Sequence, residues 1–163
     1  MYLGDTERKR AAVHEAGHAL VAASRGLGVA VIELHSIDGE GGMRLREEPS
    51  VLDRVWILYG GTFAEKVIFG KLTTAVISPE DDELLLAYKL CRQIGITDTI
   101  GIMDQVEAYL REHRVRLEFI ATRLLETNKV HGVDLDQLLI EGLSTSQPEV
   151  LGAAPQPATV EIP

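Results

Sequence analysis

The sequence predicts a mainly α-helical domain with one small β-hairpin, and three observations carry that expectation. Hydrophobic residues make up 45% of the 163-residue chain but aromatics only 5%, so the interior has to be built from Leu, Ile, Val and Ala, which suits packed helices better than a β-sandwich. Apolar residues recur three and four positions apart between recognisable caps and terminating glycines. Only residues 29–47 carry the β-branched, partly alternating pattern of paired strands around a Gly-rich turn. The length is that of one domain with a sizeable core, expected over residues 1–142.

Taken in order, Asp5 or Thr6 can cap a first helix that Gly26 ends. Val29 to Ile37 and Met43 to Glu47 form the hairpin, with His35 as a solvent-facing strand residue. Ser50 followed by Asp53 opens a second helix in capping-box fashion, and Gly70 stands just past its end at Phe69. Gly60 and Gly61 interrupt its middle at a cost of about 1 kcal/mol each relative to alanine, which predicts close approach of another backbone, that of the first helix. Ser78-Pro79-Glu80-Asp81 is an N-terminal signal for a third helix carrying Leu84, Leu85, Leu86, Ala87, Leu90, Cys91 and Ile94 up to Gly95. The longest pattern runs from Met103 to Thr127, with Val106, Leu110, Leu117, Ile120, Ala121 and Leu124 on one stripe and His113 as a packing residue. A short helix from Asp134 to Ile140 follows the loop holding His131 and Gly132. From Leu143 the composition shifts to Pro, Ser, Gln and Ala, which reads as a disordered tail over residues 143–163.

A net charge of −9 offers no basic patch for a phosphate backbone, which excludes a nucleic-acid partner. One cysteine, Cys91, allows no intrachain disulfide and reads as a small core residue. No run approaches the roughly eighteen apolar residues of a membrane span, and the first ten residues lack the apolar stretch of a secretory signal; a soluble, cytoplasmic chain is expected.

The chemistry concentrates in His14-Glu15-Ala16-Gly17-His18. On a helix, His14 and His18 project from one face one turn apart, the spacing at which two imidazoles share a zinc ion, with Glu15 beside the metal to take a proton from water. Small and apolar neighbours on both sides mark this helix as buried, and buried imidazoles and carboxylates are costly unless something pairs with them. The pattern predicts a metallohydrolase. The hairpin is the region that could offer a strand edge to an extended substrate backbone. A catalytic zinc takes a third protein ligand. The pattern with Gly and a third His further along the same helix would need them at Val21 and Ser24, so the candidates are Glu65 in the second helix and Asp81, Asp82 or Glu83 in the third.

These stretches resemble the peptidase domain of the FtsH-type ATP-dependent zinc metalloproteases, the M41 peptidase family. The likeness is carried by His14 to Val21; by Leu52-Asp53-Arg54, Gly60-Gly61, Ala64-Glu65 and Ile68-Phe69-Gly70; by Thr73-Thr74; by Ala87, Leu90 and Arg92; by Ile100-Gly101; and by the helices near Tyr109 to Glu126 and Val130 to Leu139. It implies a zinc endopeptidase acting on polypeptides, with Zn²⁺ on His14, His18 and an acid, and Glu15 as the catalytic base. The family's third ligand is an Asp four positions before an Ala. Counting back from Ala87 gives Glu83, and a slip of one residue gives Asp82, so both stand as metal candidates. Glu65 is implied in a supporting role. The resemblance also implies a ring hexamer. Family members carry a membrane anchor and an ATPase module, but these 163 residues hold no Gly-Lys-Ser/Thr phosphate loop, so ATP-driven unfolding is not carried over. The altered third-ligand segment also allows a non-catalytic relative, a zinc-binding docking or regulatory domain.

Overall fold

Two helices crossing at close range organise the computed structural model, which describes residues 5–35, 41–72 and 82–138. Helix α1 (Asp5–Ser24) buries Ala12, Val13, Ala16, Ala19, Leu20, Val21 and Ala22, and packs most extensively on α2 (Val51–Phe69). The small residues on α1 are what let the two axes approach: a Cβ on Gly17 would stand 2.4 Å from the Gly60 carbonyl oxygen and 2.5 Å from the Ala64 Cβ. The expected partner of the glycine pair in α2 is therefore the observed one. Asp5 and Thr6 both fall inside α1 instead of capping it, and Gly26, at φ +76, ends the turn that follows.

The caps of α2 are those the sequence announces. The Ser50 side chain accepts the Asp53 N–H at 3.1 Å, and Gly70 adopts the left-handed conformation at φ 82 while its N–H closes on the Lys66 carbonyl. The hairpin strands are β1 (Val29–Leu34) and β2 (Gly41–Leu45), antiparallel, with an irregularity between Val29 and Val31. A third strand, β3 (Lys129–His131), pairs antiparallel with the other edge of β1, giving the order β2-β1-β3. Sequence reasoning reads this segment as loop, because three residues are too short to display alternation. What holds it is Val130, 2% exposed, paired with the fully buried Ile32.

Two helix boundaries differ from expectation. The third helix, α3 (Glu83–Gln93), begins at Glu83, not after Ser78: Asp82 is extended at φ −79 and ψ 98, and its carboxylate accepts the Leu85 N–H at 3.1 Å. Ser78 to Asp81 lie outside the described residues. Of the apolar residues this segment carries, Ala87 and Cys91 are fully buried and Leu90 is half-buried, but Ile94, at the helix C-cap, is exposed. The long helical pattern is two helices, α4 (Thr99–Glu112) and α5 (Arg114–Thr127). At the break, His113 Nδ1 and its backbone N–H both turn onto the Tyr109 carbonyl, at 2.8 and 3.0 Å. The apolar stripe runs straight through, with Val106 and Leu110 before the break and Leu117, Ile120, Ala121 and Leu124 after it all buried, so periodicity alone does not reveal it.

Residues 132–138 are helical again; the expected tail over 143–163 and the hairpin turn at 36–40 lie outside the described residues. Among the described residues no helix is long and apolar enough to cross a membrane. Because Gly17 and Gly60 meet backbone to backbone, Gly17→Ala should overpack the crossing and lower unfolding free energy by about 1 to 3 kcal/mol in a urea titration. A loss below about 0.5 kcal/mol, the range of ordinary surface substitutions, would mean that the crossing relaxes easily.

Candidate metal centre

Helix α1 presents His14 and His18 from one face, their rings edge to face with centroids 4.5 Å apart and planes at 88°. The rings fit because α2 has no side chain where it passes them. A Cβ on Gly61 would lie 2.6 Å from both His14 Nε2 and His18 Cε1. Gly60 thus admits the backbone of α1, and Gly61 admits its imidazoles.

Each ring is held from behind at Nδ1. His14 Nδ1 lies 2.6 Å from Glu65 Oε1, and His18 Nδ1 lies 2.7 Å from the carbonyl oxygen of Ile57, both on α2. A carbonyl oxygen and an ionised carboxylate can only accept, so both Nδ1 atoms donate, and in the neutral rings each Nε2 is left with a bare lone pair. Those two lone pairs converge on one carboxylate. Glu83, the first residue of α3, places Oε2 3.0 Å from His14 Nε2 and Oε1 3.2 Å from His18 Nε2. The ligand atoms of His14, His18 and Glu83 all lie within 4.8 Å of one another, the one such group of three among the described residues.

Two lone pairs facing an anion repel unless a positive charge sits among them, so this arrangement fits a cation. Glu83 Oε2 is itself buried in this arrangement, facing His14 Nε2 at 3.0 Å. The titration behaviour reports the same demand. Burial alone would push both imidazoles down, but Glu65 and Glu83 together hold His14 up at about 10, and Glu83 raises His18. Glu83 is itself opposed by burial, yet His18 and His14 keep it well below the usual carboxylate range. The side chain of His14 is 21% exposed and that of Glu83 29%, against 9% for His18, so the centre is open on one side.

Glu15 lies next to this group and is buried, 7% exposed. Burial raises its pKa, with His18 and His14 pulling the other way. Gly41, the first residue of β2, leaves room for it, since a Cβ there would stand 2.4 Å from Glu15 Cγ and 2.7 Å from Oε1.

The remaining sequence candidates fall elsewhere. Asp82 caps α3, and Asp81 lies outside the described residues. Glu65, 4% exposed, stands behind His14 and pairs with Arg10, whose Nε is 2.9 Å from its Oε2. His35, expected on the strand, lies just past the end of β1 with its side chain half-exposed, 3.7 Å from Glu33. His113 faces Tyr109, and His131 is exposed. Three contributors were missed from sequence: Arg10, the Ile57 carbonyl and Gly41. Only Arg10 left a signal, being four residues before His14 on the same helix face.

No protein-family model matches the chain. Curated proteins do. It is 30% identical over 113 residues to an ATP-dependent zinc metalloprotease FtsH of Nitrosococcus oceani, covering 61% of this chain and 17% of that protein. With the FtsH of Ralstonia pickettii the identity is 31% over 108 residues, covering 59% and 15%. With FtsH 2 of Sphaerobacter thermophilus it is 27% over 180 residues, covering 83% and 27%. The chain spans between about a seventh and a quarter of the length of these relatives. On these matches, the chain resembles a fragment of the FtsH-type ATP-dependent zinc metalloproteases.

Proposed function

We propose that this chain is a zinc-dependent endopeptidase domain that hydrolyses peptide bonds in unfolded proteins or peptides. The observation that carries the reading is the convergence of two Nδ1-anchored imidazoles and the Glu83 carboxylate beside a buried glutamate. His14, His18 and Glu83 would hold Zn²⁺; two His and one Glu are a donor set of catalytic zinc sites, which keep a fourth position open. A zinc ion there acts as a Lewis acid toward a carbonyl oxygen and makes water more acidic. Glu15 accepts the water proton and passes it to the leaving amine, a task for which its burial-raised pKa suits it. Glu65 and the Ile57 carbonyl hold the imidazoles in the orientation that bares Nε2.

The substrate's place is suggested by β2. It is an edge strand of the described sheet, begins at Gly41 against Glu15, and borders a groove of about 480 Å³ lined by Met43, Leu45, Ile57 and Leu58 among others. An extended polypeptide paired with that edge would run past the metal centre. The likeness to proteins named zinc metalloproteases supports the same chemistry.

Glu15→Gln should lower turnover of an unfolded substrate by at least about 100-fold while zinc content stays at the parent's level. Glu83→Gln should lose the zinc. Asp82→Ala should keep it and cost about 1 kcal/mol of stability through the lost cap. Undiminished cleavage by Glu15→Gln would refute the mechanism, and zinc lost from the Asp82 variant but kept by Glu83→Gln would reverse the ligand assignment.

The chelated chain should depend on pH in a defined sense. His14 is raised from 6.5 to about 10, so its contribution is complete below 6.5 and disappears as pH climbs through about 10. Glu83 is lowered from 4.5, so its contribution is present above 4.5 and lost as pH falls through its folded value. Glu15, also raised, loses its contribution as pH rises above 4.5. Thermal melts in chelator should therefore be highest at about pH 5 and decline toward pH 9, most steeply above about pH 6.5 where the His14 contribution is lost; a flat or rising profile over that range would contradict this electrostatic account.

A further inference from the structure

Arg10 and His14 sit one turn apart on α1, and both reach the same buried carboxylate on α2. Arg10 Nε is 2.9 Å from Glu65 Oε2, and His14 Nδ1 is 2.6 Å from Glu65 Oε1. We infer that Arg10 is a positioning residue of the metal centre, fixing through Glu65 the orientation of His14 and so setting the affinity for zinc. The inference rests on the zinc reading above.

A carboxylate can swing about its last torsion, and one that is to aim a single oxygen at an imidazole has to be held by the other. Glu65 is 4% exposed and is held that way, with one oxygen on the guanidinium and one on the ring. The guanidinium suits the task because it is planar, permanently charged and donates in a fixed direction. Its Coulombic share is small, since the Arg10 side chain is 40% exposed and water screens it.

Partners behind metal-bound imidazoles typically govern affinity by about 10- to 100-fold. Zinc dissociation constants measured by chelator competition on the purified full chain test the assignment. Arg10→Gln should bind zinc about tenfold more weakly than the parent, and Arg10→Lys should fall between the two. Arg8→Gln is the matched control: it removes the same charge from the same helix, but Arg8 donates to the Leu125 carbonyl at 2.8 Å and to Asn128, away from the site. It should bind within about twofold of the parent. Equal weakening by the Arg8 and Arg10 variants would show an effect of net charge alone and overturn the inference, as would parental affinity in Arg10→Gln. A parent chain that takes up no zinc would instead bring down the underlying reading, an outcome visible without any variant.

Discussion

The constraint on which the rest depends is the close crossing of α1 and α2. Helices ordinarily pack with axes about 8 to 10 Å apart, kept there by side chains at the contact. Here Gly17 and Gly60 remove those side chains, and Gly61 removes the one that would occupy the space of the two imidazoles. Glycines inside a helix cost propensity, about 1 kcal/mol each. The cost is offset where α2 buries Val55, Tyr59, Phe63 and Val67 against its neighbours, so that the helix is held by packing more than by its own preference. Closeness then allows α2 to hold both rings from behind, through the Glu65 carboxylate and the Ile57 carbonyl.

The same crossing sets a cluster of polar groups inside a core of Ala, Val and Leu. Glu15, His18, Thr62 and Glu65 are the buried polar residues among those described, and three of them belong to the centre. Such a cluster is worth little to stability when fully paired, and stranding one member costs several kcal/mol. A hydrophobic replacement would serve the fold at least as well, so its presence argues for chemistry over structure. The partial exposure of the His14 and Glu83 side chains agrees, since a purely structural centre has no need of access.

Most of this fold could be read in the chain, and the failures share a cause. Ser50 and Gly70 mark the ends of α2 because capping is local chemistry written in residue type. The break at His113 is invisible because the apolar stripe keeps its phase across it, and β3 is invisible because a three-residue strand is defined by its partner. Within the site, His14, Glu15 and His18 announce themselves by spacing. The Ile57 carbonyl cannot, because a backbone acceptor leaves no trace in residue identity.

The acids at the start of α3 show how a single step of register separates two duties. An N-cap side chain folds back over its own helix to meet the free N–H groups, as Asp82 does with Leu85. The next residue has helical backbone, and its side chain leaves along the helix surface, free to reach a neighbour. Glu83 uses that freedom to span from α3 to the rings on α1, with Ala87 and Cys91 buried on the same face behind it. A short carboxylate suits the cap, where the N–H groups are near, and the longer glutamate suits the crossing of a gap between helices. The order Asp82 then Glu83 therefore has a physical sense: exchanging the two would leave a glutamate at a position that favours shorter caps and an aspartate one methylene short of the imidazoles.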